Sequence, residues 1–71
     1  MKIIDVSDKY IYNQGHINGS INIPYNDLIN NYRSYLNKNE SYYLYCKSGK
    51  LSKRATMILS SLGYKVFNLE K

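Results

Sequence analysis

The sequence is poor in the residues that build cross-links and metal sites. Among its 71 residues there are one cysteine, Cys46, one histidine, His16, one proline and no tryptophan. A single cysteine excludes an internal disulfide framework and a cysteine-rich zinc site. An unpaired thiol is typical of a reducing compartment. A chain of this length has room for one small domain.

Long apolar runs are also missing. No segment approaches the ~20 apolar residues that a membrane-spanning helix needs. Near the start of the chain, Lys2 and Asp5 interrupt the apolar run that a signal peptide would have. We therefore expect a soluble cytoplasmic protein that does not contact a membrane.

Acidic residues are few, five against ten basic ones, which gives a formal net charge of +5. Four of the basic residues follow Cys46 within eight positions: Lys47, Lys50, Lys53 and Arg54. This clustering favours a small anion as the ligand, since nucleic acid needs a broad basic face. Lys53 and Arg54 also fit an ordinary solvated helix start. We expect a small anionic ligand and no nucleic-acid partner.

The hydrophobic pattern predicts four strands. Short apolar runs bounded by turn residues occupy 3–6, 21–23, 42–45 and 64–69. The first of these is apolar enough to be buried on both faces, as strands of parallel sheets are.

Helices are predicted between the strands. Three-to-four spacing of apolar residues indicates helices over 26–36 and 51–62, and a short helical turn ends near Gln14. Asn26 or Asp27 is the expected cap of the first of these helices. Strands that alternate with helices predict an α/β domain with a small, mainly parallel sheet flanked by helices.

Cys46 lies where the third strand ends and a Gly-containing basic loop leads into a helix. Ligands of such sheets bind beyond the carboxyl ends of the strands. Backbone N–H groups of the loop, the helix dipole and nearby lysines would all lower the thiol pKa. A free cysteine is also often a small buried apolar residue. The position at the strand end favours a reactive thiolate.

Three segments, in order, resemble the rhodanese-like (sulfurtransferase) family. Residues 5–6 match its first Asp-Val motif. Residues 12–24, YNQGHINGSINIP, follow its Tyr-x-x-Gly-His-Ile-x-Gly-Ala-x-Asn-Ile-Pro pattern. Residues 45–52, YCKSGKLS, are similar to its active-site loop Tyr-Cys-x-x-Gly-x-Arg-Ser. The resemblance covers nearly the whole chain and implies a single rhodanese-like domain over 1–71.

The chain departs from the family pattern at several points. Leu51 stands where the family commonly has arginine, Ser7 where arginine is common, and Ile11 where an acidic residue is common. The usual additional structure at both ends is not present, so we expect a minimal or truncated domain. An uncovered sheet edge favours association, and a homodimer is the corresponding hypothesis.

The resemblance implies persulfide chemistry at Cys46. Its thiolate would take a sulfane sulfur from thiosulfate, a polysulfide or a persulfide and pass it to a thiol or cyanide acceptor. The implied substrate-binding residues are Lys47, Ser48, Gly49, Lys50, Leu51 and Ser52. No metal or organic cofactor is implied. With Leu51 in place of the usual arginine, the site loses a rigid group with several donors, which the loop lysines cannot replace. We therefore expect weak thiosulfate turnover.

Side chains in and near this loop have competing interpretations. The Ser48 hydroxyl bonds either the sulfur or the helix start, and we interpret Ser52 as a cap-like structural residue. His16 belongs to a structural turn in the family pattern, and catalysis by it is the less favoured hypothesis. Asp5 is interpreted as structural.

Other functions remain as alternatives. Cysteine phosphatases place an arginine six residues after the cysteine to clamp the oxyanion. That position here is Ser52, and Arg54 lies two residues too far along the chain, which argues against phosphoryl transfer. A catalytically lapsed binding module or a redox-sensing module is the alternative from another class.

Overall fold

Four short strands form one sheet in the computed structural model, which describes residues 2–70. The strands are β1 (Lys2–Asp5), β2 (Ile21–Asn22), β3 (Ser41–Tyr45) and β4 (Lys65–Asn68). Their order across the sheet is β2-β1-β3-β4, and all the pairings are parallel. Parallel neighbours need crossover connections, and the helices supply them. The predicted small parallel sheet is confirmed.

The helices are α1 (Lys9–Gln14), α2 (Tyr25–Asn30), α3 (Tyr32–Tyr35) and α4 (Lys50–Ser61). Helix α2 packs against α4, and α4 packs on β3 and β4. These contacts place α2 and α4 in one layer over the sheet. Within residues 2–70, no helix combines the length and the apolar character needed to cross a membrane.

The hydrophobic core lies between this helical layer and the sheet. Tyr42, Leu44 and Cys46 are buried at alternate positions of β3 and its end, as the two-residue period of a strand requires. Leu28 of α2 and Leu59 of α4 are completely buried against them. Each such leucine contributes about 1.5–3 kcal/mol through burial. Cys46 thus ends a row of core side chains and brings its sulfur to the border of the core.

The opposite face of the sheet is less covered. Tyr43 is half-buried, and Phe67, whose ring lies 5.6 Å from that of Tyr43, is 49% exposed. The prediction that the first strand is buried on both faces holds for residues 4–6 and fails for Ile3, which stays partly exposed. Strands β2 and β4 form the two edges, and the homodimer that would cover an edge stays a prediction.

The single helix predicted over 26–36 is wrong. Helix α2 ends at Asn30 and α3 begins at Tyr32, and Asn31 between them leaves the helical region with φ −135° and ψ 32°. The side-chain amide of Asn31 donates a hydrogen bond to the Asp27 carbonyl at 3.2 Å. Such local side-chain bonds compete with regular helix, which the apolar spacing alone does not reveal.

The predicted caps of this helix, Asn26 and Asp27, are also wrong. They lie inside α2, whose N-cap is Pro24 in an extended conformation, with φ −54° and ψ 147°. The Tyr25 N–H donates to the Val6 carbonyl at 3.0 Å. This bond joins the helix start to the end of β1, and therefore a tertiary contact replaces the side-chain cap.

The strand boundaries differ slightly from those predicted. Strand β2 ends at Asn22 rather than 23, and β4 covers Lys65–Asn68 rather than 64–69. Gly63 follows α4 with a φ of +94°, which confirms it as the residue after the helix stop, since this conformation is readily adopted by glycine.

Leu59→Ala should destabilise the fold by about 2–5 kcal/mol, because it leaves a cavity at a completely buried site. Urea unfolding followed by circular dichroism measures the change. Met57→Ala, on the same helix at a side chain that is 71% exposed, is the matched control and should change the free energy of unfolding little. Equal losses for the two variants would contradict the assigned core.

Candidate active site

The carboxyl end of the central strand β3 positions Cys46. Strand β3 lies between β1 and β4, and β1 ends at Asp5 beside Tyr45. The Val6 N–H then donates to the Tyr45 carbonyl at 2.9 Å. These pairings hold the backbone on the N-terminal side of Cys46, so the predicted position of the thiol at the strand end is confirmed.

Gly49 turns the chain from the strand end into α4. It has φ +80° and ψ −11°, a left-handed conformation, and it is the N-cap of α4. Its N–H donates to the Cys46 carbonyl at 3.2 Å, and its carbonyl accepts from the Lys53 N–H at 3.0 Å. A side chain in this conformation costs about 1–2 kcal/mol. The glycine therefore lets the loop fold back over the cysteine.

The turn brings two serines to the sulfur. The Ser52 N–H donates to Cys46 Sγ at 3.4 Å, and the Ser52 hydroxyl lies 3.6 Å from the same atom. The Ser48 hydroxyl lies 3.9 Å from it. In the thiol form, Cys46 donates to Ser52 Oγ while that hydroxyl donates to the Gly49 carbonyl at 3.2 Å. Because a hydroxyl proton rotates to suit its partners, the same oxygen can donate to a thiolate.

These contacts decide the pKa of the thiol. Burial raises the pKa of Cys46, whereas hydrogen bonds from the Ser52 side chain and backbone, from Ser48 and from the Gly49 backbone lower it. The hydrogen bonds prevail, and the pKa lies below its ordinary value. The lowered pKa that the sequence indicates arises in part as expected, from backbone N–H groups of the loop; the serine hydroxyls are a further cause, and lysine charges are not among the causes.

Ser52 is more than a helix-start residue. Its side chain is completely buried, although the helical pattern placed it off the apolar face, and its N–H and hydroxyl both reach the sulfur. The cap-like interpretation is therefore wrong, since α4 has no side-chain cap hydrogen bond and its N-cap is Gly49. The sequence feature that could have revealed this role is the position of Ser52 in the first turn of α4, because that helix begins beside the cysteine.

A pocket of about 220 Å³ opens over the sulfur. Among the residues the structure describes, its walls are formed by Tyr45, Cys46, Lys47, Ser48, Gly49, Lys53, Leu69 and Glu70. Three of the predicted substrate-binding residues, Lys50, Leu51 and Ser52, do not belong to this wall. Leu51 packs against the core instead. Substrate contacts by the predicted loop residues stay predictions.

Relatives of known family resemble the whole chain. The family model for the rhodanese-like domain matches residues 1–71. The thiosulfate sulfurtransferase PspE of Escherichia coli is 37% identical over 62 residues, which are 86% of this chain and 60% of PspE. The chain belongs to the rhodanese-like domain family. The assignment of residues 1–71 to one domain stays a prediction.

Two further relatives match most of this chain but only part of their own length. YrkF of Bacillus subtilis is 31% identical over 65 residues, 92% of this chain and 35% of YrkF. The rhodanese-related protein of Thermoplasma volcanium superimposes with a TM-score of 0.87 at 30% identity, over 97% of this chain and 68% of that one. This rhodanese-like domain therefore spans 60% and 35% of the lengths of its two curated relatives.

An ion pair at the pocket wall was not expected from the sequence. Lys53 Nζ lies 3.4 Å from Glu70 Oε1, and both side chains are mostly exposed. Sequence reasoning assigned Lys53 to a solvated helix start. Because β4 is parallel to β3, residues that follow β4 return to the edge where Cys46 lies, and this topology is the signal that could have revealed Glu70.

His16 in this rhodanese-like domain is part of the turn between α1 and β2. Its ring stacks on Tyr12 with centroids 3.8 Å apart, and its Nδ1 lies 2.8 Å from the Tyr12 carbonyl. Tyr12 in turn donates from its hydroxyl to the Ser20 carbonyl at 2.6 Å. These bonds support the structural interpretation of His16.

Asp5 and Asn22 brace the end of the sheet. The Ser7 N–H donates to Asp5 Oδ1 at 2.9 Å, and the Asn22 amide donates to the carbonyls of Asp5 and Ser7. These contacts are structural, as the sequence indicated. Within residues 2–70 there is no group of three or more His, Cys, Asp or Glu residues that could hold a metal ion.

Ser52→Ala should raise the pKa of Cys46 towards its ordinary value, because it removes the hydroxyl that gives the largest lowering contribution. The thiolate is the reactive form, so the midpoint of iodoacetamide alkylation against pH should move upward. Thr56→Ala is the control, since its hydroxyl bonds the Ser52 carbonyl rather than the sulfur. A midpoint that is the same in both variants and the wild type would refute the assignment.

Proposed function

We propose that this domain transfers a sulfane sulfur through a persulfide on Cys46. The main support is the geometry at the floor of the pocket. The Ser52 N–H, the Ser52 hydroxyl and the Ser48 hydroxyl all lie close to the Cys46 sulfur there. PspE is named a thiosulfate sulfurtransferase and YrkF is provisionally named a sulfur carrier protein. Both names support sulfur transfer as the general activity.

The first half-reaction loads the sulfur. The Cys46 thiolate attacks the outer sulfur of thiosulfate, a new S–S bond forms, and sulfite leaves with the electron pair of the bond that breaks. A polysulfide or a persulfide donor reacts in the same way, with a shorter sulfur anion or a thiolate as the leaving group. This is covalent catalysis by an activated nucleophile.

The loop supports the loaded state. Backbone N–H groups between Lys47 and Ser52 would stabilise the negative charge of the outer sulfur, a role like that of an oxyanion hole. Gly49 allows the turn that presents them. We expect Lys47 and Lys50, which are both exposed, to attract the anionic donor. The second half-reaction passes the outer sulfur to a thiol or to cyanide.

Leu51 bears on the choice of donor. The corresponding arginine would supply several N–H donors to a dianion, whereas Leu51 packs partly buried against the core. Thiosulfate, a compact dianion, therefore has fewer positive groups to bind. A persulfide with one negative charge, or a polysulfide with one charge at each end of its chain, depends on them less. We propose persulfide or polysulfide as the better donor.

Incubation with polysulfide should add one sulfur atom to the intact mass of the reduced protein, and cyanide should remove it. Cys46→Ser, which lacks the nucleophile, is the control and should gain nothing. Thiosulfate should load the protein more slowly than polysulfide. A folded wild-type protein that gains no sulfur from either donor would sink this function and leave a non-catalytic binding module as the conclusion.

Glu70→Gln should accelerate loading by thiosulfate about two- to fivefold at low salt, because it removes a negative charge from the pocket wall and releases Lys53. Loading is followed by mass spectrometry against time. Glu40→Gln is the matched control, since Glu40 pairs with Lys2 at 2.7 Å and does not line the pocket. Equal rates in the two variants would show that the pocket charge does not limit loading.

A redox-sensing function fits the geometry less well. A bridge between two chains would need the two sulfurs to approach to about 2.05 Å, yet Cys46 is only 5% exposed and lies under its loop. The loop would have to open before two copies could join. The lone cysteine of this chain is therefore better suited to small sulfur compounds that enter the pocket.

A further inference from the structure

A second cleft lies beside the Cys46 pocket and shares a wall with it. It has a volume of about 260 Å³ and is lined by Gly15, His16, Ile17, Tyr45 and Lys47. Tyr45 and Lys47 are also part of the wall of the Cys46 pocket. These two residues flank Cys46 in the chain, and Cys46 itself lines the first cleft and not the second. An acceptor in the second cleft therefore reaches the sulfur past Tyr45 and Lys47.

The charge of the second cleft differs from that of the first. Lys47 is the one basic lysine or arginine side chain among the five lining residues, and none of the five is acidic. The Cys46 pocket, in contrast, has Glu70 in its wall paired with Lys53. The second cleft therefore attracts an anionic group through Lys47, and no carboxylate in its lining repels that group as Glu70 does in the Cys46 pocket.

His16 gives the second cleft a fixed polar edge. Its ring is held by stacking on Tyr12 and by the 2.8 Å contact of Nδ1 with the Tyr12 carbonyl. A carbonyl only accepts hydrogen bonds, so Nδ1 carries the proton. In the neutral ring Nε2 is then the acceptor nitrogen, and it is suited to an S–H or O–H donor.

Gly15 leaves space in the wall. A Cβ added to Gly15 would meet no heavy atom within 4 Å. Its φ of 160° is extended backbone that other residues also adopt. Because Gly15 lines the cleft, a larger side chain at this position begins without a clash with the protein and takes up space at the cleft wall.

We propose that this second cleft binds the sulfur acceptor and that the acceptor is a small thiol bearing a carboxylate. The inference rests on the proposed persulfide function. The carboxylate pairs with Lys47, the small molecule fills the space beside Gly15 and Ile17, and its sulfur lies towards Tyr45 and the loaded cysteine. His16 and Lys47 are positioning residues in this arrangement.

The transfer step balances without a further reactant. The acceptor thiolate attacks the outer sulfur of the Cys46 persulfide, and a bond forms between those two sulfurs. The bond between the outer sulfur and Cys46 Sγ breaks, and its electron pair stays on Sγ as thiolate. The proton that the acceptor thiol gives up on ionisation ends on the outer sulfur, so the anionic persulfide and the thiol together give the Cys46 thiolate and a hydropersulfide.

Single-turnover discharge of preloaded protein tests the acceptor site. Mass spectrometry follows the loss of the sulfur to mercaptoacetate, which carries a carboxylate, and to 2-mercaptoethanol, which does not. Lys47→Met should lower the ratio of the two rate constants about three- to tenfold, as expected for one lost charge contact. Lys65→Met, at an exposed lysine of β4 that lines neither cleft, should leave the ratio unchanged.

Gly15→Leu tests the space in the cleft. It should slow discharge to mercaptoacetate at least fivefold while discharge to cyanide, which is too small to need the cleft, stays within twofold. Asn18→Leu is the matched control on the same turn, since Asn18 is exposed and does not line the cleft. A folded Gly15→Leu protein with unchanged discharge overturns the proposal. If Gly15→Leu does not fold, the ratio of the discharge rate constants to mercaptoacetate and 2-mercaptoethanol in Lys47→Met tests the proposal instead, and an unchanged ratio overturns it.

A binding measurement separates this proposal from the proposed function. (Methylthio)acetate carries the carboxylate but has no reactive thiol, so it binds without transfer. In Cys46→Ser, its titration should shift the amide NMR signals of Gly15, His16 and Ile17 to saturation, and Lys47→Met in that background should weaken binding about three- to tenfold. Absence of saturable shifts overturns the acceptor site even where a persulfide forms. If (methylthio)acetate gives saturable shifts but the wild-type protein never accepts sulfur from a donor, the cleft is an anion-binding site and the proposed transfer chemistry is refuted.

Discussion

The contact between the Ser52 N–H and the Cys46 sulfur depends on the turn at Gly49. The left-handed backbone there reverses the chain between a strand end and a helix start, so that the first turn of α4 faces the sulfur rather than solvent. The strand is fixed by β1 and β4, and the helix is fixed by Ala55 and Leu59 in the core. The sulfur environment is therefore as rigid as the two elements that meet at it, and little reorganisation is needed when charge forms.

Hydrogen bonds and lysine charges have separate tasks at this site. The bonds from Ser52, Ser48 and Gly49 act on the sulfur of a residue that is only 5% exposed, where dipoles are effective and salt screens less than at the surface. Lys47 and Lys50 are exposed, so salt screens their charges. We therefore expect the two lysines to attract an anion to the site, and we do not expect them to favour ionisation of the thiol. The sequence suggested one combined effect because both kinds of group lie within the same few residues.

Local patterns in the sequence predict the parallel sheet and the position of Cys46 well, because burial on one face imposes the strand and helix periods. They fail where the outcome depends on a tertiary partner. The break at Asn31 and the start of α2 at Pro24 follow from particular hydrogen bonds, to Asp27 and from Tyr25 to Val6. The burial of Ser52 and the approach of Glu70 likewise depend on how α4 and β4 meet at one edge of the sheet. No spacing rule within a single element contains that information.

The lowered pKa acts differently on the two halves of the proposed reaction. A thiolate of lower pKa is a weaker nucleophile per molecule but a better leaving group. Loading uses Cys46 as nucleophile and gains from the larger ionised fraction, whereas discharge uses it as leaving group and gains directly. The hydrogen-bonded loop therefore favours release of the sulfur, and selectivity among acceptors has to come from groups other than those that bond the sulfur. The Lys47 side chain is one such group, and the turn at 15–17 meets it in the second cleft.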